Sequence, residues 1–276
     1  MIMALELPFL PRAGIALISL TAVVFFFVKS RLISKLLDKI CASNFMKSWF
    51  ADLMTTHSST VKKHLGIFSI HVDHFTEIGN KVMEIGGDVL EIGAGTGRYL
   101  DLLRLPEESS LVVMDLNPFM EKHFRESLAK APQVKLKDYL LQNAADMNNI
   151  PDNTFAVVYT EDMMCSMEIE NLQKMLKEIK RVLKPGGCLF FMEHVLDVPG
   201  TWRRTFQKFL TSQIGIWPRL LDNCHCDRET WWYIKEAEFS SVNLRYVYLP
   251  TDNVPSLISK FLLYFIRRFM IGHAKE

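Results

Sequence analysis

The sequence predicts an α/β fold: a doubly wound, mostly parallel sheet of seven strands with an antiparallel last strand. Three observations carry this. A short apolar run at 88–92 ends in a glycine-dense turn, Gly93-Ala94-Gly95-Thr96-Gly97, the pattern of a buried parallel strand feeding a ligand loop. Further apolar runs at 111–115, 134–141, 156–160 and 188–195 are separated by helical patterns at 98–103, 119–130 and 169–183. After these, 242–249 and 269–275 supply two more strands, the last able to close the sheet antiparallel.

A chain of 276 residues with 49% hydrophobic and 23% charged residues buries one sizeable core with extensions. With 32 basic against 31 acidic residues there is no surplus charge to neutralise a nucleic-acid backbone, so nucleic acid is not an expected partner. Five cysteines, an odd number, do not suggest a disulfide framework and fit a reducing, cytosol-facing compartment. Cys224-His225-Cys226 lacks a second Cys or His pair at zinc spacing, so no metal site is expected.

At the N-terminus, residues 13–28 carry no charge. As a helix they reach about 24 Å, short of a hydrocarbon core of about 30 Å, so both a spanning and a re-entrant anchor remain open. Pro8 and Pro11 offer bends, and Lys29-Ser30-Arg31 replaces the small residues of a cleavage site. Lys29, Arg31, Lys35 and Lys39 place the rest of the chain on the cytosolic side. The chain therefore divides into an anchor at 1–35, a helical cap or connector at 36–87 and a ligand-binding domain at 88–276. Within the connector, 32–53 has apolar residues at helical spacing, 55–60 is a polar break and 61–85 a further helix; His57, His64, His71 and His74 find no matching ligand set.

The loop discriminates between ligands. In the dinucleotide fingerprint G-x-G-x-x-G a third glycine would stand where this chain has Arg98. Instead the acid Glu91 precedes Gly93 by two residues, which suits a cationic ligand without phosphates. The run Glu91-x-Gly93-x-Gly95-x-Gly97 resembles the first motif of class I S-adenosylmethionine-dependent methyltransferases, a Rossmann-like fold. Asp115 ends the second strand eighteen residues past Gly97, where an acid can grip both hydroxyls of a ribose; capping the segment from Pro118 is its structural alternative. The resemblance puts Ala94 and Leu116 beside the cofactor and brings a polar group after strand three to the adenine, with Asn143 and Asp146 both candidates and Ala144 between them. Thr160 ends strand four at the mouth of the cleft, followed by Cys165. His194 ends strand five, where a proton acceptor is useful.

Residues 201–217 are aromatic and basic and suggest a lid, with Trp202, Cys165 and Cys224 as candidate acceptor-pocket residues. The segment 256–268 reads as a second membrane-surface helix, with core packing as the alternative. Together Leu183-Lys184-Pro185-Gly186-Gly187, Phe191-Met192-Glu193-His194-Val195, Trp202, Asp222-Asn223-Cys224, Arg228-Glu229 and the N-terminal anchor resemble the membrane-associated thiol S-methyltransferases, the methyltransferase-like seven family, over 88–275. That resemblance implies methyl transfer from S-adenosylmethionine to small alkyl thiols or hydrogen sulfide, leaving S-adenosylhomocysteine, on the endoplasmic reticulum or lipid droplets. The chain departs from it in a shortened 145–151 segment, in Ala156 where an acid is expected, and in a longer helix before the last strand. A quinone, sterol or other lipid acceptor, and a non-catalytic surface protein that keeps the fold, are the alternatives.

Overall fold

The computed structural model describes residues 31–64, 68–250 and 257–276. Of the anchor expected at 1–35, residues 1–30 lie outside the described residues and 31–35 begin a helix, Arg31–Cys41; the first residue of the expected surface helix, Ser256, also lies outside them. Among the described residues no helix is long and apolar enough to cross a membrane.

The sheet contains β1 (Asp88–Ile92), β2 (Leu111–Asp115), β3 (Leu136–Leu141), β4 (Phe155–Glu161), β5 (Leu183–His194), β6 (Ser241–Tyr248) and β7 (Arg268–Lys275). Their spatial order is β3-β2-β1-β4-β5-β7-β6. All pairings from β3 to β5 are parallel, and β7 runs antiparallel to both β5 and β6. The predicted α/β class and the antiparallel last strand are both present.

Alternation along the central strands sorts the core into two layers. Leu90, Ile92, Met114, Val158 and Phe191 face the helix Ile169–Val182, which buries Leu172, Met175, Leu176, Ile179 and Val182. Val89, Val113, Val157 and Phe190 face Phe75, Ile78 and Val82 of the helix Phe68–Ile85, and Phe124 of the helix Met120–Leu128. With both faces covered, the inner strands read as unbroken apolar runs. The edge strands β3 and β6 show exposed positions instead. The order reverses at β1, between β2 and β4, which opens a crevice beyond the carboxyl ends of β1 and β4.

Helix boundaries differ from expectation in two places. The stretch 98–103 is a series of tight turns, with Leu102 N–H donating to Tyr99 O at 2.9 Å and Leu103 N–H to Leu100 O at 3.2 Å. The Leu100 carbonyl, which a longer helix would need, also accepts from Gln133 Nε2 at 3.0 Å. Upstream, the helical region splits into α1 (Arg31–Cys41) and α2 (Asn44–His64), not at 55–60. Ser43 Oγ accepts Met46 N–H at 3.3 Å and so starts α2. Thr55 and Thr56 return their hydroxyls to the carbonyls of Ala51 and Asp52 at 2.9 and 3.1 Å, so the threonines sit within the helix. The helices already described become α3 (Phe68–Ile85), α4 (Met120–Leu128) and α5 (Ile169–Val182). They are followed by α6 (Trp202–Lys208), α7 (Ile216–Leu220), α8 (Trp231–Glu236) and α9 (Leu257–Ile266).

Candidate active site

A cavity of about 390 Å³ occupies the crevice at the β1/β4 reversal. Its floor is the glycine loop. Gly93 and Gly95 have φ of +76° and +50°, and a Cβ at Gly93 would stand 2.3 Å from Met163 Cγ. A side chain there would both strain the turn and close the crevice. Asp115 leaves β2 and ties the loop down: its Oδ2 accepts Gly95 N–H and its Oδ1 accepts Asn117 N–H, both at 2.8 Å.

The cavity wall is acidic. Glu91, Asp115, Glu161 and Asp162 line it, with Arg98 among them, 3.9 Å from Asp162. Burial pushes the Glu91 carboxyl up to about 8, against a hydrogen bond from Tyr159, with the Asp115 charge adding to the shift. Burial also raises Asp115, opposed by the Asn117 and Gly95 amides. Glu161 is lifted well above the carboxylate range by burial and by the neighbouring Glu91. Carboxyls crowded this way are poised for a cation, whose arrival restores their ionised forms.

Of the residues singled out in the sequence, Glu91, Gly93, Ala94, Gly95, Asp115, Leu116, Asn143 and Ala144 line this cavity together. Gly97, Asp146 and Thr160 are not on its wall. Gly97 closes the loop against Leu100 and Phe124. Asp146 is exposed, and its carboxylate accepts Asn148 N–H at 3.3 Å. Thr160 is fully buried, with its hydroxyl 3.5 Å from Glu193 Oε1.

A second cavity, about 120 Å³, adjoins the first and shares Phe50, Met54, Arg98, Tyr99, Asp162 and Ser166 with it. Its remaining wall is largely apolar, from Leu53, Ile70, Trp217, Leu263 and Phe269 among others, and includes Cys165, His194 and Cys224. His194 Nε2 lies 3.3 Å from Cys224 Sγ, which also receives Trp217 Nε1–H at 3.3 Å. Burial opposes a charge on His194, but Cys165 beside it, with Asp162 and Glu193, outweighs burial and raises its pKa to about 9. The Cys165 thiol is pushed well above its usual value, first by Cys224 and then by burial. Trp202, expected in this pocket, is 61% exposed and packs on Tyr264 and Phe206 instead. It stands at the first residue of α6, where its ring meets those two aromatic rings 5.3 Å away, centroid to centroid.

Several residues at or beside the cavities are not among the site residues singled out from the sequence. Glu193 is fully buried, and its Oε1 accepts the N–H groups of Met163 and Met164 at 3.0 Å each, which fixes the turn that carries Cys165. An acid inside an otherwise apolar strand was its signal. Asp162, Asp222 and Asn223 line the first cavity with φ of 51°, 47° and 59°, unusual for residues with a Cβ. Phe50 and Met54 reach both cavities from α2, within the segment expected as a helical cap.

Comparison with known proteins places this architecture. The methyltransferase-domain family matches residues 90–191. Thiol S-methyltransferase TMT1B of Rattus norvegicus is 31% identical over 207 residues, 75% of this chain and 81% of the rat protein. The chain belongs to the TMT1 family of thiol S-methyltransferases. Human thiol S-methyltransferase TMT1A is 30% identical over 156 residues, covering 56% of this chain and 62% of the human protein. Among solved structures, an O-methyltransferase family protein from Burkholderia thailandensis superposes with a TM-score of 0.53 at 17% identity, over 83% of this chain and 59% of that one, a likeness of fold. The family resemblance read from the motifs is thus shown. Within a methyltransferase of this family the acidic crevice and the apolar pocket divide naturally into a donor side and an acceptor side.

Proposed function

We propose that the protein transfers the methyl group of S-adenosylmethionine to the sulfur of small lipophilic thiols or of hydrogen sulfide at a membrane surface. The observation that carries this reading is the junction of the two cavities: an acidic crevice over a glycine loop opens directly onto an apolar pocket whose polar groups include Cys165, His194 and Cys224.

The donor side fits the cofactor on its own residues. S-adenosylmethionine carries a sulfonium and an ammonium and no phosphate, and the wall offers carboxylates at Glu91, Asp115, Glu161 and Asp162. Asp115 would hold the ribose, Leu116, Asn143 and Ala144 the adenine, and the Gly93–Gly95 backbone the amino-acid portion. Gly97 and Thr160 would act behind this wall, by shaping the loop and the end of β4, and Asp146 by shaping the turn that presents Asn143, whose carbonyl accepts Asp146 N–H at 3.0 Å. The bound cofactor supplies an electrophilic methyl on sulfur. The chain's contribution is alignment and exclusion of water. The pocket favours an apolar acceptor, and His194 is the group positioned to hold the acceptor sulfur in its reactive, deprotonated form.

Exposed apolar side chains support membrane attachment. Leu257 and Phe261 of α9 and Trp202 and Phe206 of α6 are exposed, as are Leu36, Ile40, Phe45 and Trp49 of α1 and α2. The residues before α1 supply the apolar run at 13–28, the anchor of this reading, on the endoplasmic reticulum or lipid droplets with the catalytic domain facing the cytosol. The decisive test incubates the purified protein with methyl-labelled S-adenosylmethionine and a panel of alkyl thiols, sulfide, phenols and lipids. Labelled thioether is the expected product, and label on a phenol or lipid in its place overturns the reading. Removing residues 1–29 should release the protein from vesicles while methylation of a soluble thiol persists; retained vesicle binding moves the attachment to α6 and α9.

A further inference from the structure

We propose that Cys165, His194 and Cys224 form a three-ligand zinc site whose fourth position opens into the apolar pocket and takes the acceptor sulfur as a thiolate. The metal site stands on geometry alone; its use toward a thiol rests on the function proposed above.

The three side chains come from separate parts of the chain: the turn after β4, the last residue of β5 and the loop between α7 and α8. One ligand atom from each, the two Sγ atoms and an imidazole nitrogen, nonetheless lie within 4.8 Å of one another. Tetrahedral zinc with sulfur at about 2.3 Å and nitrogen at about 2.1 Å keeps its ligand atoms roughly 3.5 to 3.8 Å apart. The 3.3 Å between His194 Nε2 and Cys224 Sγ is already close to that spacing, and a small approach of Cys165 completes it. Two cysteines and one histidine with an open position is a set that zinc takes in catalytic sites.

The ligands are held in place by the fold itself. Glu193 fixes the Cys165 turn through backbone amides. The two cysteine-bearing loops are tied to each other, His225 N–H donating to Cys165 O at 2.9 Å and Asn223 Nδ2 to Ser166 O at 2.9 Å. All three ligand residues are buried, at 1%, 2% and 8% exposure, so water competes poorly for them. The imidazole is only half satisfied by the protein: Nε2 meets Cys224 Sγ, while Nδ1 is buried with no hydrogen-bond partner. Both cysteines are free thiols. Cys226, equally buried, is engaged elsewhere, 3.1 Å from the Thr211 hydroxyl. The expectation of no metal rested on spacing along the chain, and these ligands stand about thirty residues apart.

Such a site ionises a thiol without a strong base. A zinc-bound hydroxide accepts the proton of R–SH and leaves as water, and the thiolate takes its place on the metal. A sulfur lone pair stays available toward the donor crevice. His194 then holds the acceptor thiolate through the metal, as its ligand.

The test uses the full chain, purified reduced, equilibrated with zinc or cobalt(II) and freed of unbound metal. The expected results are about one metal per chain by elemental mass spectrometry, and, for the cobalt form, tetrahedral d–d and thiolate charge-transfer bands that shift on adding an alkyl thiol. Cys165→Ser, Cys224→Ser and His194→Ala should each weaken metal binding by about 100-fold or more, with Cys188→Ser as the control that retains it. Circular dichroism and S-adenosylmethionine affinity report whether each variant is folded. Substoichiometric metal in the wild type, a Cys165–Cys224 disulfide in the reduced preparation, or metal retained in all three variants overturns the site. Undiminished thiol methylation by metal-free protein overturns the zinc role and leaves the methyltransferase reading standing. Metal bound without any labelled thioether does the reverse.

Discussion

The two adjoining cavities differ in how much of each a single stretch of chain supplies. The floor of the first cavity is local: Glu91, Gly93, Gly95, Asp115 and Asn143 lie at or just beyond the ends of β1, β2 and β3, around one glycine loop, while Phe50, Met54, Asp222 and Asn223 reach its wall from distant parts of the chain. The acceptor side gathers Phe50 from α2, Cys165 after β4, His194 from β5, Trp217 and Cys224 around α7, and Leu263 from α9. The donor wall is acidic and the acceptor wall mostly apolar, yet six residues belong to both. In the proposed reading the cofactor meets a compact glycine motif at the floor of its cavity, and the acceptor meets parts that only the folded chain assembles.

If the two sides are separable, substitutions should split them. His194→Ala, on the acceptor side, is expected to lower turnover about 1,000-fold while calorimetric S-adenosylmethionine affinity stays as in the wild type; loss of that affinity would merge the two sides. Asp115→Ala should weaken the cofactor about 100-fold, through lost hydrogen bonds to a charged group and a loosened loop. Unchanged cofactor affinity would remove Asp115 from the donor side.

Glu91 gives a smaller effect with a definite sign. Its folded pKa near 8 lies above the ordinary 4.5, so between these values the folded chain keeps a proton that the unfolded chain has released. The stability it contributes is complete below pH 4.5 and is lost as pH rises to about 8. Thermal melts of the cofactor-free protein should therefore fall across that window, and Glu91→Gln should flatten the decline. Cofactor binding below pH 8 should release a proton, seen as a buffer-dependent heat. An unaltered slope in the variant would place Glu91 elsewhere in the titration. The smallest effect belongs to Trp202→Ala, outside both cavities: thiol methylation in solution should be unchanged and vesicle binding reduced in a flotation assay. A drop in solution turnover would return Trp202 to the acceptor pocket.

Legibility followed the range of the interactions. The β1 run, the Gly93–Gly97 turn and Asp115 were readable because strand burial and positive φ write their requirements into neighbouring residues. The helix expected at 98–103 was misread because Gln133, distant in sequence, donates a side-chain N–H to the Leu100 carbonyl of that segment. The break expected at 55–60 failed because threonine hydroxyls can return to the helix that holds them. Glu193 was visible as an acid in an apolar strand, but its partners Met163 and Met164 lie thirty and twenty-nine residues away.

From sequence alone came the parallel sheet, the antiparallel closing strand and the glycine turn that floors the first cavity, because each depends on side-chain alternation or on one turn whose residues are adjacent. Tertiary structure alone decided that Trp202 faces outward, which side chains of the expected cap, Phe50 and Met54, reach both cavities, and that the pocket cysteines Cys165 and Cys224 come within ligand distance of His194. Those outcomes turn on which loops are tied across the end of the sheet, by bonds such as His225 N–H to Cys165 O, and no periodicity along the chain encodes them.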